Sequence, residues 1–334
     1  MSRALAPLVP FYAAAVRAKN LAYERGWARQ SRLKGPVVSI GNLSVGGAGK
    51  TPLTIRLAEL LRARGVAADV LSRGYGRSSN AVERVNPEGS AEEFGDEPLL
   101  IARSAGVPVF VGASRLRAGA LAETTFAGPT LHLLDDGFQH RQLARDVDIV
   151  VLHRSDFAER LLPAGRLRED FSSLARAQIL VLRQEDCDLE VELRNRGHRQ
   201  PVWRMERELE TPNANRLVAF CAIAREEEFF FGLRSRGIAV VAKRAWRDHH
   251  RFTQADLVEL IELRRQHDAE GFITTEKDWL RLEAEQRRML EGVAPLHAAK
   301  LVVRLCDEPA ALQQLFGLLP ESWQSRMTKV QQSP

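Results

Sequence analysis

The chain contains few of the residues that cross-link a protein or anchor it in a membrane. Three cysteines occur in 334 residues, and the spacing of Cys187, Cys221 and Cys306 fits neither a disulfide framework nor a metal site. No run of about 18 apolar residues is present, so the sequence offers no candidate for a membrane-spanning helix. These absences predict a globular protein of a reducing compartment. The length of 334 residues predicts two domains.

An excess of positive charge is missing from most of the chain. The net charge is +5, yet residues 1–34 hold seven basic residues and one acid, Glu24. The rest of the chain is nearly neutral, with 41 of the 48 basic and 42 of the 43 acidic residues. A basic excess confined to one end gives little support to nucleic-acid binding, so no nucleic-acid partner is predicted. No obligatory protein partner is predicted either.

Residues 1–34 combine this charge with apolar and aromatic side chains. Tyr12, Val16, Tyr23 and Trp27 are spaced to fall near one helical face. A basic amphipathic helix is typical of a segment that lies on an anionic membrane surface. A helix packed on its own domain, with its basic face in water, is the alternative, and the pattern alone does not separate the two.

Apolar runs and helix-period segments alternate after residue 35, and this order is typical of an α/β fold with a largely parallel sheet between helices. The predicted strands of the first alternation are 37–40, 67–72, 107–111, 130–134, 148–152 and 178–182, and its predicted helices include 51–64 and 114–123.

A polar stretch at 183–215, interrupted by glycine and proline, predicts a domain boundary, and a second, smaller α/β alternation follows. Its strands are predicted at 216–221, 238–242, 271–274 and 300–304, and its helices at 225–236, 254–267 and 277–290. The predicted parts of the chain are an N-terminal segment 1–34, a nucleotide-binding domain 35–205, a smaller domain 206–320 and a loose tail 321–334.

The most informative stretch, VVSIGNLSVGGAGKTP at 37–52, places a glycine-rich loop between a β-branched strand and a helix. The loop matches the variant pattern GGxGKT, because Ser44 stands where the strict pattern has glycine. Backbone N–H groups at such a helix start bind phosphate, with Lys50 reaching the outer phosphates and Thr51 a Mg²⁺ ion. We therefore predict an ATP-type nucleotide site formed by Ser44, Val45, Gly46, Gly47, Ala48, Gly49, Lys50 and Thr51.

The run LHLLDDGFQH at 131–140 is a strand that ends in two acids. In enzymes with a phosphate loop an acid at this position holds Mg²⁺, so Asp135 and Asp136 are candidate metal ligands. A polar turn that closes the strand is the alternative. Gln139 and His140 follow on the same turn, where they could face the nucleotide or the acceptor.

Three further motifs carry charged side chains at glycine- or proline-bearing loops. LSRGYGR at 71–77 is either a phosphate contact or a tight turn with two solvated arginines. In FGDEP at 94–98, Asp96 is either a helix N-cap or a general base. In LLPAGRLRED at 161–170, Arg168 either clamps a phosphoryl group or lies on a surface loop.

Two motifs lie in the second alternation. RDHHRF at 247–252 sets His249 and His250 beside Asp248, which suits proton transfer better than zinc binding. TTEKDW at 274–279 is predicted to start a helix, with Thr275 as N-cap and Asp278 at N3. It does not fit the guanine-reading [NT]KxD pattern, which is found nowhere in the chain, and this argues against a GTPase.

Taken together, these motifs resemble the tetraacyldisaccharide 4′-kinases of Gram-negative bacteria. The resemblance rests on SIGNLSVGGAGKTP, LSRGYGR, GDEP, LDDGFQHRQLARDVDIV, LLPAGRLRE, FCAI, DHH and TTEKD, which occur in that order between about residues 37 and 279. It implies ATP-dependent phosphorylation of the 4′-hydroxyl of an acylated glucosamine disaccharide 1-phosphate, giving a bis-phosphorylated lipid A precursor. It also implies a peripheral enzyme on the cytoplasmic face of the inner membrane, where its lipid substrate resides.

The resemblance also assigns roles to residues that match the family motifs. Asp96 matches the acid that deprotonates the sugar hydroxyl, and His249, or alternatively His250, matches its histidine partner from the second domain. Asp135 and Asp136 match the acids on the metal side. The remaining matches, of less specific role, are Gln139, His140, Arg115, Arg168 and Glu169.

Three departures from the family pattern are visible. Ala48 replaces a threonine in the phosphate loop, where its N–H is expected to remain available. Arg166 replaces a proline, and FCAIAREEEFF at 220–230 lacks the glycines and proline of FCGIGNPxxFF. The last change is expected to affect the inter-domain hinge or the acceptor pocket.

Two other functions compete with this assignment. One is an ATPase switch that partitions cargo or loads metal onto a partner, but DDGFQH and DHH have no role in it. The other is a kinase for a soluble sugar or nucleoside, which the aromatic, basic N-terminus disfavours.

Overall fold

A computed structural model describes residues 3–126 and 128–325 of the chain. The strands are β1 Val37–Asn42, β2 Ala68–Ser72, β3 Glu83–Arg84, β4 Val109–Val111, β5 Leu131–Asp135, β6 Val147–Val151, β7 Ile179–Arg183, β8 Val202–Glu210, β9 Leu217–Cys221, β10 Val240–Ala245, β11 Gly271–Thr275 and β12 Leu296–Leu305. The α-helices are α1 Val9–Glu24, α2 Lys50–Ala63, α3 Ala91–Phe94, α4 Asp96–Ser104, α5 Arg115–Thr125, α6 Leu189–Asn195, α7 Glu226–Ser235, α8 Gln254–Gln266, α9 Glu276–Arg281, α10 Ala284–Glu291 and α11 Glu308–Leu318. Short 3-10 helices cover Arg3–Leu8, Arg154–Ala158, Phe171–Arg176 and Gln184–Asp186.

The twelve strands form one sheet in the order β10-β9-β11-β12-β8-β7-β6-β1-β5-β2-β4-β3. Neighbours are parallel except at two places, β12 against β8 and β4 against β3. Parallel pairing requires a crossover after each strand, which explains the alternation of apolar strands and amphipathic helices in the sequence. The predicted α/β class with a largely parallel sheet is confirmed.

Strand β1 lies at the centre of the first eight strands, between β5 and β6. All six of its residues are buried, as expected for a strand covered on both faces. The chain leaves β1 at its carboxyl end, where ligands bind in open parallel sheets. The carboxyl-end edge of the sheet therefore contains the glycine-rich loop after β1, the acids at the end of β5 and the loop after β6.

The antiparallel pair β8–β12 joins the two sets of parallel strands, with Leu305 opposite Met205 and Lys300 opposite Glu210. We call strands β1–β8 with their helices the N-terminal part and strands β9–β12 with theirs the C-terminal part. The proposed domain boundary at 205/206 falls inside β8, and the division into two domains stays a prediction. Sequence patterning missed β8 because its burial is mixed along its length.

The hydrophobic core is divided among clusters on the two faces of the sheet. One cluster packs α2 and α4 against β1, β2 and β5, and it extends to β12 and α11. Another covers the opposite face around Phe138 and Leu174. The C-terminal part has two clusters of its own, around Phe272 and Phe230. The phosphate loop and the acids therefore emerge from a sheet that is packed on both sides.

Most predicted elements agree with the structure to within two or three residues, but the strand predicted at 300–304 is the longer β12, Leu296–Leu305, and three other details differ. Helix α1 ends at Glu24, so Trp27 lies beyond the helix whose face it was expected to share. The predicted helix 277–290 is two helices, α9 and α10, separated at Leu282 and Glu283. Of the predicted loose tail, residues 321–325 are helical and the remainder lies outside the described residues.

Candidate active site

The phosphate loop connects β1 to α2, and two of its glycines adopt backbone conformations that other residues rarely take. Gly46 has φ 109° and Gly49 has φ 93°, and Gly49 is the N-cap of α2 without a side-chain cap. The first N–H groups of α2 thus lack a capping side chain, which suits binding of an anion. A Cβ on Gly46 would come within 3.1 Å of the Ala224 Cβ atom, so the C-terminal part approaches the loop closely.

Lys50 is buried and directed into the loop. Its Nζ atom lies 3.5 Å from the Gly46 carbonyl oxygen and 3.5 Å from Asp136 Oδ1. The Ala48 N–H, which the replacement of threonine by alanine retains, donates to the same Gly46 carbonyl at 3.1 Å. Two potential phosphate donors therefore share one internal acceptor.

Asp136 is the anionic centre of the site. Arg168 Nη1 donates to its two carboxylate oxygens at 2.9 and 3.0 Å, and Lys50 lies on its other side. Burial alone would raise the pKa of Asp136, but Lys50 and Arg168 outweigh it and lower the pKa to about 2. Its φ of 50° is rare for a non-glycine residue, and such conformations cluster at functional sites.

Asp135 lies in a different environment, although it is the adjacent residue. Its side chain is buried at the end of β5, and the Thr54 hydroxyl donates to Oδ1 at 3.1 Å. Burial, followed by the charges of Glu97 and Asp136, raises its pKa to about 7. Within residues 3–126 and 128–325 no lysine or arginine forms an ion pair with it.

A buried carboxylate without a paired cation fits a metal ion, and the buried Thr51 hydroxyl belongs to the same loop end. The described residues contain no group of three or more His, Cys, Asp and Glu side chains that could hold a metal. Mg²⁺ in phosphate-loop enzymes, however, is held by one or two protein oxygens together with the phosphates, so the residues present fit the ion.

The polar residues after β5 extend this cluster. Gln139 accepts from Arg168 at 3.1 Å, and its amide nitrogen donates to the Asn42 carbonyl oxygen at 3.0 Å. Burial and then the charge of Arg115 lower the pKa of His140 to about 4, so this side chain is neutral at pH 7. Arg115 is itself buried, and Asp135 and Asp136 contribute to its electrostatic surroundings.

Asp96 is the first residue of α4 and is not its N-cap. Gly95 occupies the cap position and no side chain caps the helix, so the N-cap interpretation of Asp96 is wrong. Its buried carboxylate is paired with Arg281 of α9. His249 Nδ1 lies 3.5 Å from Asp96 Oδ2, the oxygen that also contacts Arg281. A candidate base from the N-terminal part thus meets a histidine from the C-terminal part.

The two histidines of the DHH motif are placed differently. His249 has φ 62°, which directs it towards Asp96, and its ring contacts Tyr75 with centroids 5.1 Å apart. His250 Nε2 lies 2.8 Å from Asp256, and its ring stacks on Trp246 at 5.7 Å. Of the two candidates, only His249 contacts Asp96 within the described part of the chain.

Comparison with known proteins decides the family. A family model described as tetraacyldisaccharide-1-P 4′-kinase matches residues 1–319. The chain belongs to this family. A tetraacyldisaccharide 4′-kinase of Koribacter versatilis is 44% identical over 326 residues, covering 94% of this chain and 98% of that protein. One of Chromobacterium violaceum is 38% identical over 320 residues, covering 91% of each.

A solved structure of LpxK from Aquifex aeolicus in complex with ATP has a TM-score of 0.74 and 31% sequence identity to this chain. The match covers 95% of this chain and 99% of that one. The predicted activity is confirmed by these comparisons: the chain is a kinase that phosphorylates the 4′ position of a lipid A precursor. The switch ATPase and the kinase for a soluble acceptor are thereby set aside.

The segment in which this chain departs from the family pattern, 220–230, contributes to an ionic network. Glu228 accepts from Arg183 at 2.6 Å and from Arg207 at 2.7 Å, and His153 Nε2 lies 2.8 Å from it. Arg225 Nη1 contacts the His153 ring, with 2.7 Å to Nδ1. This segment thus links the C-terminal part to His153 after β6, to Arg183 at the end of β7 and to Arg207 within β8.

Helix α1 packs on the loops of the candidate site. Packing on its own domain is the alternative to a membrane surface that the sequence left open. Tyr12 Oη donates to the Arg168 carbonyl oxygen at 3.0 Å, and Asn20 donates to Glu169 at 2.7 Å. Lys19 Nζ donates to the Gln139 carbonyl oxygen at 3.2 Å. The opposite side of the N-terminal segment remains apolar and exposed, with Phe11 75% accessible. Packing on the chain's own domain is therefore observed for one face of α1, and association of the segment with a membrane stays a prediction.

Sequence reasoning missed the functional side of the TTEKDW motif. Thr275 is the N-cap of α9 and accepts from the Asp278 N–H, as predicted. The same short helix also directs Lys277 to Glu97 and Arg281 to Asp96. A signal was present, because two basic residues four apart after a cap lie on one helical face. The spacing alone does not show what this face contacts, and in the structure the face contacts α4.

Proposed function

We propose that this family member uses MgATP to phosphorylate the 4′-hydroxyl of an acylated glucosamine disaccharide 1-phosphate, with a site formed by both parts of the chain. The observation that carries the proposal is the placement of two clusters at one sheet edge. Lys50, Asp136 and Arg168 form one cluster, and Asp96 with His249 forms the other. Glu97, the neighbour of Asp96 on α4, contributes after burial to the raised pKa of Asp135, which supports an electrostatic link between the clusters.

The nucleotide phosphates would occupy the loop from Ser44 to Thr51, where Lys50 exchanges its Gly46 contact for phosphate oxygens. Thr51, Asp135 and Asp136 would hold Mg²⁺, which on binding supplies positive charge to the β- and γ-phosphates. Arg168 is already fixed beside Asp136 and Gln139. Its charge, together with that of Arg115, stabilises the negative charge that spreads over the transferring group.

Proton transfer from the acceptor hydroxyl falls to Asp96 and His249. Although burial opposes it, the charges of Arg281 and Lys277 lower the pKa of Asp96, so its carboxylate is ionised, the form that a base requires. His249 lies close enough to share that proton after transfer. Because the two residues come from different parts of the chain, their contact also helps to exclude water, which would otherwise compete as acceptor.

The acceptor carries acyl chains, and α1 offers a surface for the membrane that contains them. Leu8 and Phe11 are exposed and Arg17 extends into solvent. Among the described residues no helix is long and apolar enough to cross a bilayer. We propose peripheral attachment of this helix to the anionic cytoplasmic face of the inner membrane, with its other face on the kinase site.

The proposed roles are tested by transfer of radiolabelled γ-phosphate from ATP to the disaccharide 1-phosphate in mixed micelles. Wild type should label the lipid at the 4′ position, and Asp96→Ala should lose about 10²-fold or more in kcat. His249→Ala should lose more activity than His250→Ala. Full activity of Asp96→Ala would overturn the assigned base, and transfer that persists after chelation of Mg²⁺ would overturn the metal's role.

A further inference from the structure

Helix α9 of the C-terminal part reaches across to α4 of the N-terminal part with two basic side chains. Lys277 pairs with Glu97, and Arg281 pairs with Asp96. The donors are four residues apart on one helical face, and the acceptors are adjacent residues at the start of α4. These two ion pairs therefore hold α9 against the first two residues of α4.

The guanidinium group of Arg281 has a structural edge and an edge that faces the site. On the structural edge, Nη1 donates to Asp278 Oδ1 at 2.8 Å and to the Ala222 carbonyl oxygen at 2.6 Å. On the other edge, Nε donates to Asp96 Oδ2 at 3.0 Å, and Nη2 contacts both this oxygen and His249 Nδ1, the latter at 3.1 Å. The side chain is 9% exposed, so its orientation is set by these partners.

Asp96 is surrounded by charged groups from every element packed against it. These are Arg281 and Lys277 on α9, His249 on the loop after β10, Glu97 beside it on α4, and Asp278 behind Arg281. Burial favours the protonated carboxyl, and the cations, with Arg281 the largest contributor among them, overcome that effect. Removal of Arg281 would leave the Asp96 carboxylate buried with weaker compensation.

We propose that Arg281 is a positioning residue for phosphoryl transfer, because one guanidinium group fixes the Asp96 carboxylate and the His249 ring relative to each other. The inference rests on the proposed roles of Asp96 and His249 and extends them. Since Arg281 and His249 both belong to the C-terminal part, docking of α9 on α4 assembles the proton-handling pair as one unit. The planar guanidinium group of arginine has several N–H donors and suits this task, whereas the ammonium group of a lysine would restore the charge alone.

The first test compares Arg281→Gln, Arg281→Lys and the control Arg287→Gln in the micelle assay. Arg287 lies on α10 in the same part of the chain, covers the Trp279 ring at 4.2 Å and donates to the Trp279 carbonyl oxygen, away from Asp96. We expect Arg281→Gln to lower kcat by about 10- to 100-fold through misplacement of the reacting groups. KM for ATP should change by less than about threefold, because uniform binding is untouched.

The pH profile separates positioning from general destabilisation. In Arg281→Gln the acidic limb of the kcat profile should move to higher pH, because Asp96 loses the cation that favours its ionised form. Arg281→Lys should restore part of the rate and return the limb towards wild type, and Arg287→Gln should leave both unchanged. If kcat of Arg281→Gln falls in parallel with Tm while the acidic limb stays at its wild-type pH, the proposal is wrong.

A double-mutant cycle with Asp96→Asn distinguishes failure of this inference from failure of the proposed function. If Arg281 acts through Asp96, Arg281→Gln should have little further effect on kcat in the Asp96→Asn background. Multiplicative losses in the double mutant would overturn the inference. Full activity of Asp96→Asn alone would refute the proposed base. Loss in Asp96→Asn with full activity in Arg281→Gln would refute only the positioning role.

Discussion

At the scale of single residues, the DD pair shows how two identical neighbours acquire different chemistry. Asp136, in contact with Lys50 and Arg168, has a pKa lowered to about 2 despite its burial. Asp135, one residue earlier and buried without a paired cation, has its pKa raised to about 7. The difference comes from the turn after β5, which directs one side chain to the cations and the other into the sheet.

We predict that Asp136→Asn lowers kcat by about 10²-fold or more, because Lys50 and Arg168 lose the carboxylate that orients them both. The measurement is steady-state transfer to the disaccharide 1-phosphate, with thermal unfolding monitored in parallel. Asp188→Asn is the matched control, since its carboxylate is 62% exposed and pairs with an exposed arginine. An Asp136→Asn enzyme with wild-type kcat would contradict the assigned role.

Glu276 provides a prediction for stability against pH. Burial, and to a lesser extent Glu210, raises its pKa to about 7, above the unfolded value of about 4.3. A raised folded-state pKa stabilises the fold below the unfolded value, and this contribution is lost as pH rises through about 7. Glu276→Gln should therefore increase the free energy of unfolding by about 1–3 kcal/mol at pH 8 and by little at pH 4.

Chemical denaturation of Glu276→Gln at several pH values checks this expectation. The exposed Glu285→Gln on α10 serves as the control for a carboxylate in water. A stabilisation that is equal at pH 4 and pH 8 would show that burial of the ionised carboxylate is not its cause.

At the scale of elements, α1 is the helix for which we propose two functions. One side contacts the loops that carry Arg168, Glu169 and Gln139. The other side exposes Leu8 and Phe11 beside basic residues. Because these faces serve different partners, substitutions on each should separate catalysis from membrane attachment.

For the exposed face we predict that Leu8→Ser combined with Phe11→Ser reduces binding to anionic vesicles by about tenfold or more. Each apolar side chain withdrawn from the bilayer costs roughly 1–2 kcal/mol of the binding free energy. Co-sedimentation with phosphatidylglycerol vesicles measures the effect. Val191→Ser on α6, which removes an equally exposed apolar side chain elsewhere, should bind as wild type. Unchanged binding of the double variant would refute the membrane face.

For the inner face we predict that Tyr12→Phe lowers kcat severalfold while vesicle binding stays at the wild-type level. The substitution removes the hydroxyl that donates to the Arg168 carbonyl oxygen, a bond worth about 0.5–1.5 kcal/mol. Micelle kinetics and co-sedimentation of the same preparation give the two readouts. A loss of vesicle binding with kcat intact would reverse the assignment of the two faces.

At the scale of the whole molecule, the two parts of the chain are held together by strands and by charge. The β8–β12 ribbon makes the sheet continuous across them. The Glu228 network adds ionic contacts from α7 to residues that follow β6 and end β7, His153 and Arg183. Several cations share this one carboxylate, so its removal would leave partly buried positive charges facing each other.

We predict that Glu228→Gln lowers the free energy of unfolding by about 1–3 kcal/mol, measured by denaturation at pH 7. The surrounding cations lower the pKa of Glu228 against the effect of burial. The stabilisation is therefore present above its unfolded pKa of about 4.3 and is lost as pH falls, so the two proteins should converge in acid. Glu227→Gln, which removes an exposed neighbouring carboxylate, should be near neutral. Equal effects of the two substitutions would contradict the network's role.

Sequence patterns alone were sufficient to predict the α/β class, the phosphate loop and the family. These depend on local rules, because a buried parallel strand, a loop at a helix start and a motif order are all written in contiguous residues. The same rules found the N-cap at Thr275. They did not find β8, whose partly exposed residues lack a clear period.

The grouping of the charged residues, in contrast, depends on how distant elements pack together. Asp96 and Arg281 are 185 residues apart, and nothing in either motif names the other as its partner. The choice of His249 over His250 depends on a left-handed backbone conformation, and the two faces of α1 depend on what packs beneath it. Pairings of this kind arise from the crossing of distant elements, and electrostatic interaction follows distance in space, not separation along the chain.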